Sequence, residues 1–276
     1  MASFHARSNS LPSRQHPISS QIDETLNRLR SSQSASTSSS VGQKLNGLQD
    51  LHEYVEMLLQ LPQSQQALSH EQQRKSVEQL LDGSLMLLDI CSTAKDALLQ
   101  TKECTQELQS ILRRRRGVEG LTSEVRKYLT SRKVVKKTIC KALKNLKNME
   151  NKHNKDGENG DVISILRQVE AVTVDVLESL LSFISGPEAE SKLSRWSKLM
   201  HQKRVTSAED EINNEIANAE ATLRSFIKSE NTKNVENVQN ELQNSEECIQ
   251  DLEQGIESLY RRLIKARVNV LNIVNC

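Results

Sequence analysis

Aromatic residues make up only 3% of this chain, and there is a single tryptophan, Trp196. Strands of a sandwich or barrel draw heavily on aromatic and β-branched side chains, so an all-β fold is not expected. Proline is as scarce: Pro12, Pro17, Pro62 and Pro187 are the whole set, and the stretch from Pro62 to Pro187 is free for long helices. No apolar run approaches the roughly 18 residues that a membrane-spanning helix needs. The five cysteines, Cys91, Cys104, Cys140, Cys248 and Cys276, form no CxxC pair and no Cys/His cluster. They read as reduced thiols of an intracellular protein. Phosphate-cradling glycine loops, GxSxG and HExxH are missing too. The six histidines are scattered through mostly polar sequence. No catalytic, cofactor-binding or metal-ligating residue is expected, and the chain reads as a non-enzymatic protein.

What is present is heptad spacing. Val235, Val238, Leu242, Ser245, Ile249, Leu252, Ile256, Leu259, Leu263, Ala266, Val270 and Ile273 follow one another at steps of three and four. That spacing keeps one seam on one side of a helix, weakened only at Ser245 and Ala266. A second stripe runs Leu121, Val125, Tyr128, Arg132, Val135, Ile139, Ala142, Leu146, Met149, with Arg132 as its polar interruption. Further helices are expected over Val41–Leu61, from a Ser69 cap to about Arg116, over Val162–Ile184 up to Gly186-Pro187, and through Ile212, Ile216, Ala219, Leu223 and Phe226. Beyond the C-terminal seam, Ile264, Val268, Leu271 and Val274 add a second apolar face. A helix apolar on two sides is expected to be buried among several others. The fold class is therefore all-α: an elongated multi-helix bundle with long coiled-coil-like helices. An intramolecular bundle, hence a monomer, is favoured over a dimerising coiled coil, and self-association stays open as the alternative.

Residues 1–40 read as a disordered, serine-rich tail and linker, with a short helix at Ile22–Arg30, and residues 41–276 as one helical-bundle domain. The tail holds Arg7, Ser10 and Pro12 in the order Arg-Ser-x-Ser-x-Pro. An arginine three residues before a serine suits a basophilic kinase. Phosphate on Ser10 would add a charge of about −1.5 to −2. The product resembles the phosphoserine ligands that 14-3-3 proteins hold with a cluster of basic residues.

Charge is unevenly spread beneath a net of +1. From Arg113 to Lys155 there are fifteen lysines and arginines against three acids, while Val205–Tyr260 holds thirteen acids against three bases. The candidate basic patch is Arg113, Arg114, Arg115 and Arg116 with Lys133, Lys136, Lys137 and Lys144. It can lie on an anionic membrane, bind an acidic protein, or be answered inside the fold by the acidic helices. Tyr128 is its one aromatic, so nucleic-acid stacking is not expected. The expected location is cytoplasmic or membrane-peripheral. Residues 1–22 lack acids and carry arginine and serine as transit peptides do, which leaves the chloroplast as the lesser alternative.

Seven ordered blocks carry a resemblance. They are FHARSNSLPSR (4–14), LPQSQQAL (61–68), LLDGSLMLLDICSTAKDAL (80–98), ELQSILRRRRG (107–117), SRKVVKKTICKALKNLK (131–147), ESLLSFISGP (178–187) and SLYRRLIKARVNVLNIV (258–274). Together they resemble the plant BYPASS-like family of helical proteins without a defined biochemical activity. The resemblance implies a role in root and shoot development and supplies no catalytic residues. The segment SRWSKLM (194–200) is shorter after Trp196 than the family's usual block.

Overall fold

The computed structural model describes residues 17–31, 37–114, 120–153, 162–186, 214–229 and 235–275, with the side chains of 148–153 and 229 excepted. Arg7, Ser10, Pro12, Arg115, Arg116 and Trp196 lie outside the described residues, as does the shortened 194–200 segment.

Among the described residues the regular structure is helical throughout: α1 (Pro17–Ser31), α2 (Ser38–Leu59), α3 (Pro62–Ser69), α4 (Arg74–Arg114), α5 (Leu121–His153), α6 (Val162–Ser185), α7 (Glu215–Ser229) and α8 (Val235–Asn275). A 3₁₀ turn at Glu71–Gln73 leads into α4. The helices α4 and α8 have 41 residues each, so each is about 60 Å long at 1.5 Å per residue. They lie against each other, with α2 and α7 on other sides of α8, α5 and α6 beside α4, and α1 on α2.

The local signals are mostly where the chain announces them. Thr37 and Ser40 form a reciprocal capping box at the start of α2, each side chain bonding the other's backbone N–H at 3.2 Å. Gly186 takes a φ of +76°, which a side chain would resist, and its N–H bonds back to Ser182 O at 3.0 Å to close α6. Asn214 caps α7 by accepting from Ala217 N at 2.9 Å, and donates to Phe183 O at 2.7 Å, tying that start to the end of α6.

Three expectations need correction. The packed part reaches back past residue 41: α1 buries Ile22 and Leu26 in the core, and Ser38–Ser40 form the first turn of α2. The cap before α4 is His70 rather than Ser69, and Pro62 opens α3 at its first turn as well as closing α2. The second apolar face near the end of α8 is open: Ile264 is 40% exposed, Val268 46% and Val274 39%.

The C-terminal seam itself is buried within the chain from Val238 to Leu263, and again at Val270. The core falls into two apolar clusters. The larger gathers residues of all eight helices, with Leu98, Val135 and Ile249 among them and Ile216 as the contribution of α7. The smaller gathers Leu108, Val125, Tyr128, Leu223, Phe226, Val238 and Leu242. Thr101, Thr105, Arg132 and Ser245 fall between them in sequence on their helices, and all four are buried. Arg132 and Thr101, joined by a hydrogen bond, form a polar layer between the two clusters, and Ser245 is buried at the corresponding place along α8.

Candidate functional site

Helix α5 has two chemically opposite sides, and both follow from its heptad. The seam side buries Leu121, Val125, Tyr128, Val135, Ile139, Ala142 and Leu146. The opposite side exposes Arg126, Lys133, Lys137, Lys141 and Lys144. Their spacing of seven, four, four and three residues keeps them on one ridge about 27 Å long. None of the five has an ion-pair partner among the described residues. The side chains between them are Thr130, Val134 and Thr138, all exposed.

Other described bases of the block have acidic neighbours. Lys127 pairs with Glu124 at 3.1 Å and Lys147 with Glu178 at 3.8 Å. Arg113 and Arg114 are exposed at the end of α4, where they line a polar groove with Glu246 and Glu247 of α8. The expected patch therefore divides. Lys133, Lys137 and Lys144 stand together on the ridge, Arg126 and Lys141 join them, and Arg113 and Arg114 face the acidic helix instead. Lys136 leaves the patch: its Nζ turns inward to Glu220 Oε2 at 2.7 Å.

Glu220 is the hub of the polar layer. Its Oε1 accepts from Arg132 Nε at 2.8 Å, and Arg224 approaches Oε2 at 3.5 Å. Arg132 is 1% exposed. Its other two nitrogens donate to Thr101 Oγ1 at 2.7 Å and to Ile184 O at 2.6 Å. One guanidinium thus ties α4, the end of α6 and α7 to α5. Burial alone would raise the Glu220 carboxyl, but the Arg132 and Lys136 cations outweigh it and hold the group below its usual range. Sequence reading missed Glu220. The signal was there: a lone arginine in an apolar stripe requires a buried acid, and Glu220 sits one turn after Ile216 on the apolar side of its own helix.

Two further buried groups lie between α2, α4 and α6. His52 Nε2 is 3.2 Å from Thr173 Oγ1, whose own proton goes to Val169 O at 2.7 Å, so the ring nitrogen donates. Burial, helped by Arg262, lowers His52 to about 4. The Glu170 carboxyl is pressed onto Gly83, where a β-carbon would run into Oε1. Burial raises it to about 7 against the pull of Arg167. Both groups border an apolar cavity of about 80 Å³. Among the described residues no group of three His, Cys, Asp or Glu side chains could hold a metal ion. No described helix is long and apolar enough to cross a membrane.

The family model whose description is Protein BPS1 matches residues 44–273. The chain belongs to the BPS1 family. No curated protein and no solved structure matches it significantly. The BPS1 match runs from within α2 through nearly all of α8, including the α5 ridge, Arg132, Glu220 and the Glu170–Gly83 contact. It leaves Ser10 and α1 outside.

Proposed function

We propose that this BPS1-family chain is a non-enzymatic regulator in plant root and shoot development, and that it works by binding an anionic membrane surface through the ridge of α5. The observation that carries the reading is the set of five exposed, unpaired cations on one helix side, beside bases that do have partners. The buried charges of Arg132 and Glu220 are consumed by each other and by their neighbours, whereas the ridge, among the described residues, leaves its charge free for something outside. A flat anionic bilayer suits a straight cationic ridge, and each lysine or arginine near such a surface contributes about 1 kcal/mol. With Val134 as the one large apolar side chain among them, the contact is electrostatic and reversible.

Flotation with vesicles of phosphatidylcholine, with and without phosphatidylserine, tests this. The full chain should float with the anionic vesicles at low salt and be released at high salt. Failure of the wild-type chain to float at low salt would end the reading.

The Arg7–Ser10–Pro12 motif supports a second mode, in which phosphorylated Ser10 recruits a 14-3-3 protein and the chain serves as an adaptor. A phospho-Ser10 peptide should bind 14-3-3 while the unmodified peptide does not. Equal binding of the two removes this mode and leaves the membrane reading untouched.

A further inference from the structure

The open apolar face between α4 and α8 is patterned for a second copy of this chain. In this region α4 and α8 run antiparallel, linked by the Lys95–Glu257 ion pair and by Arg267, whose Nη1 reaches Leu81 O and Ser84 Oγ. Two turns on from the Lys95–Glu257 pair come Leu88 and Ile264, so these two lie at one level. Around that level the surface is apolar. Leu85 is 47% exposed, Ile264 40% and Val268 46%, with Leu88 half-buried beside them. Exposed apolar residues scattered singly need no explanation, but a cluster across two neighbouring helices does.

The edges of this face differ in charge. On the side of α4 away from α8, Asp82, Asp89 and Asp96 repeat every seven residues, all exposed and none in an ion pair among the described residues. On the side of α8 away from α4 stand Arg261 and Lys265. Their partners are Glu257 and Glu56, and their side chains remain 76% and 62% exposed. The face thus reads acid, apolar, base from one edge to the other.

We infer that two copies of the chain associate through this face about a two-fold axis parallel to α4 and α8. That rotation sets the acidic edge of each copy against the basic edge of the other and lays the apolar centres together. It also preserves level along the helices, so Asp89, beside Leu88, meets Arg261 and Lys265 of the second copy, which flank Ile264. A two-fold axis across the helices would put acid on acid, and is disfavoured by the same charges. Self-complementarity of this kind is what an isologous interface requires. The C-terminal heptad takes no part, since its seam is spent inside the fold.

Sedimentation equilibrium of the full chain at tens of micromolar concentration is the test. The expected mass is twice the chain mass of 31.2 kDa. Asp89→Arg should weaken the dimer by about tenfold in Kd or more through like-charge contact, and Asp89→Arg with Arg261→Glu should restore it. Val268→Glu, at an exposed site, should give monomer with the helical circular dichroism and melting temperature of the wild type. A monomeric wild-type chain overturns the proposal. So does a dimer that neither Asp89→Arg nor Val268→Glu weakens.

Discussion

At the scale of single residues, the polar layer is the most consequential feature. Arg132→Ala leaves Glu220 buried with part of its compensation gone, and removing one partner of a buried pair costs about 3–5 kcal/mol. Denaturant unfolding at pH 7 should show a loss of that size. Replacing both Arg132 and Glu220 with methionine should cost less than Arg132→Ala alone, because the two most deeply buried charges are then both gone and Lys136, partly exposed on a long stem, can turn out to water. Acid has a definite sign here. Glu220 titrates lower in the folded chain than the roughly 4.3 of an unfolded glutamate. Its stabilisation is therefore complete above about 4.3 and is lost as pH falls through the folded value. Glu170 works the other way. Held at about 7 in the fold, it favours the folded chain fully below about 4.3 and loses that contribution as pH rises toward 7. The wild type should show a decline in denaturation midpoint between about pH 4.3 and pH 7, and Glu170→Gln should remove it. Gly83→Ala combines a gain in helix propensity of about 1 kcal/mol with a forced shift of the Glu170 carboxyl. Overpacking of that kind costs about 1–3 kcal/mol, so net destabilisation is expected in the same assay.

At the scale of elements, the long helices were legible because periodicity reports which side of a helix is buried. The seam of α8 and the stripe of α5 are buried as their spacing predicts, with Val125, Ile139, Leu242, Ile249 and Leu259 fully enclosed. Periodicity does not report the partner. Arg132 was visible as an interruption, but Glu220 is 88 residues away and only the packing of α7 brings it in. The same limit explains the division of the basic patch. Lys133 and Lys136 are one turn apart and look alike in sequence, yet the rotation between them turns one outward and the other to Glu220. Helix α3 was missed because its eight residues are too few to show a period. The apolar end of α8 was misassigned because two apolar sides imply two neighbours only where the fold supplies them. Attachment of α7 can be tested by itself. Asn214→Ala removes both its cap and its bond to Phe183 O, and should cost about 1–2 kcal/mol by thermal unfolding.

At the scale of the whole molecule, the bundle pairs Arg132, Lys136 and Glu220 internally and, among the described residues, leaves the cations of the α5 ridge without ion-pair partners. The chain belongs to the BPS1 family, and the ridge supplies a physical way for the proposed developmental regulator to act. The most direct measurement is the partition coefficient onto phosphatidylserine-containing vesicles for a ladder of Lys133→Gln, Lys137→Gln and Lys141→Gln, singly and combined, with Lys127→Gln as control. Each ridge substitution should lower partitioning by about fivefold, additively, at low salt, while Lys127→Gln, already paired with Glu124, should have a smaller effect. A triple ridge variant that partitions like the wild type would contradict the account.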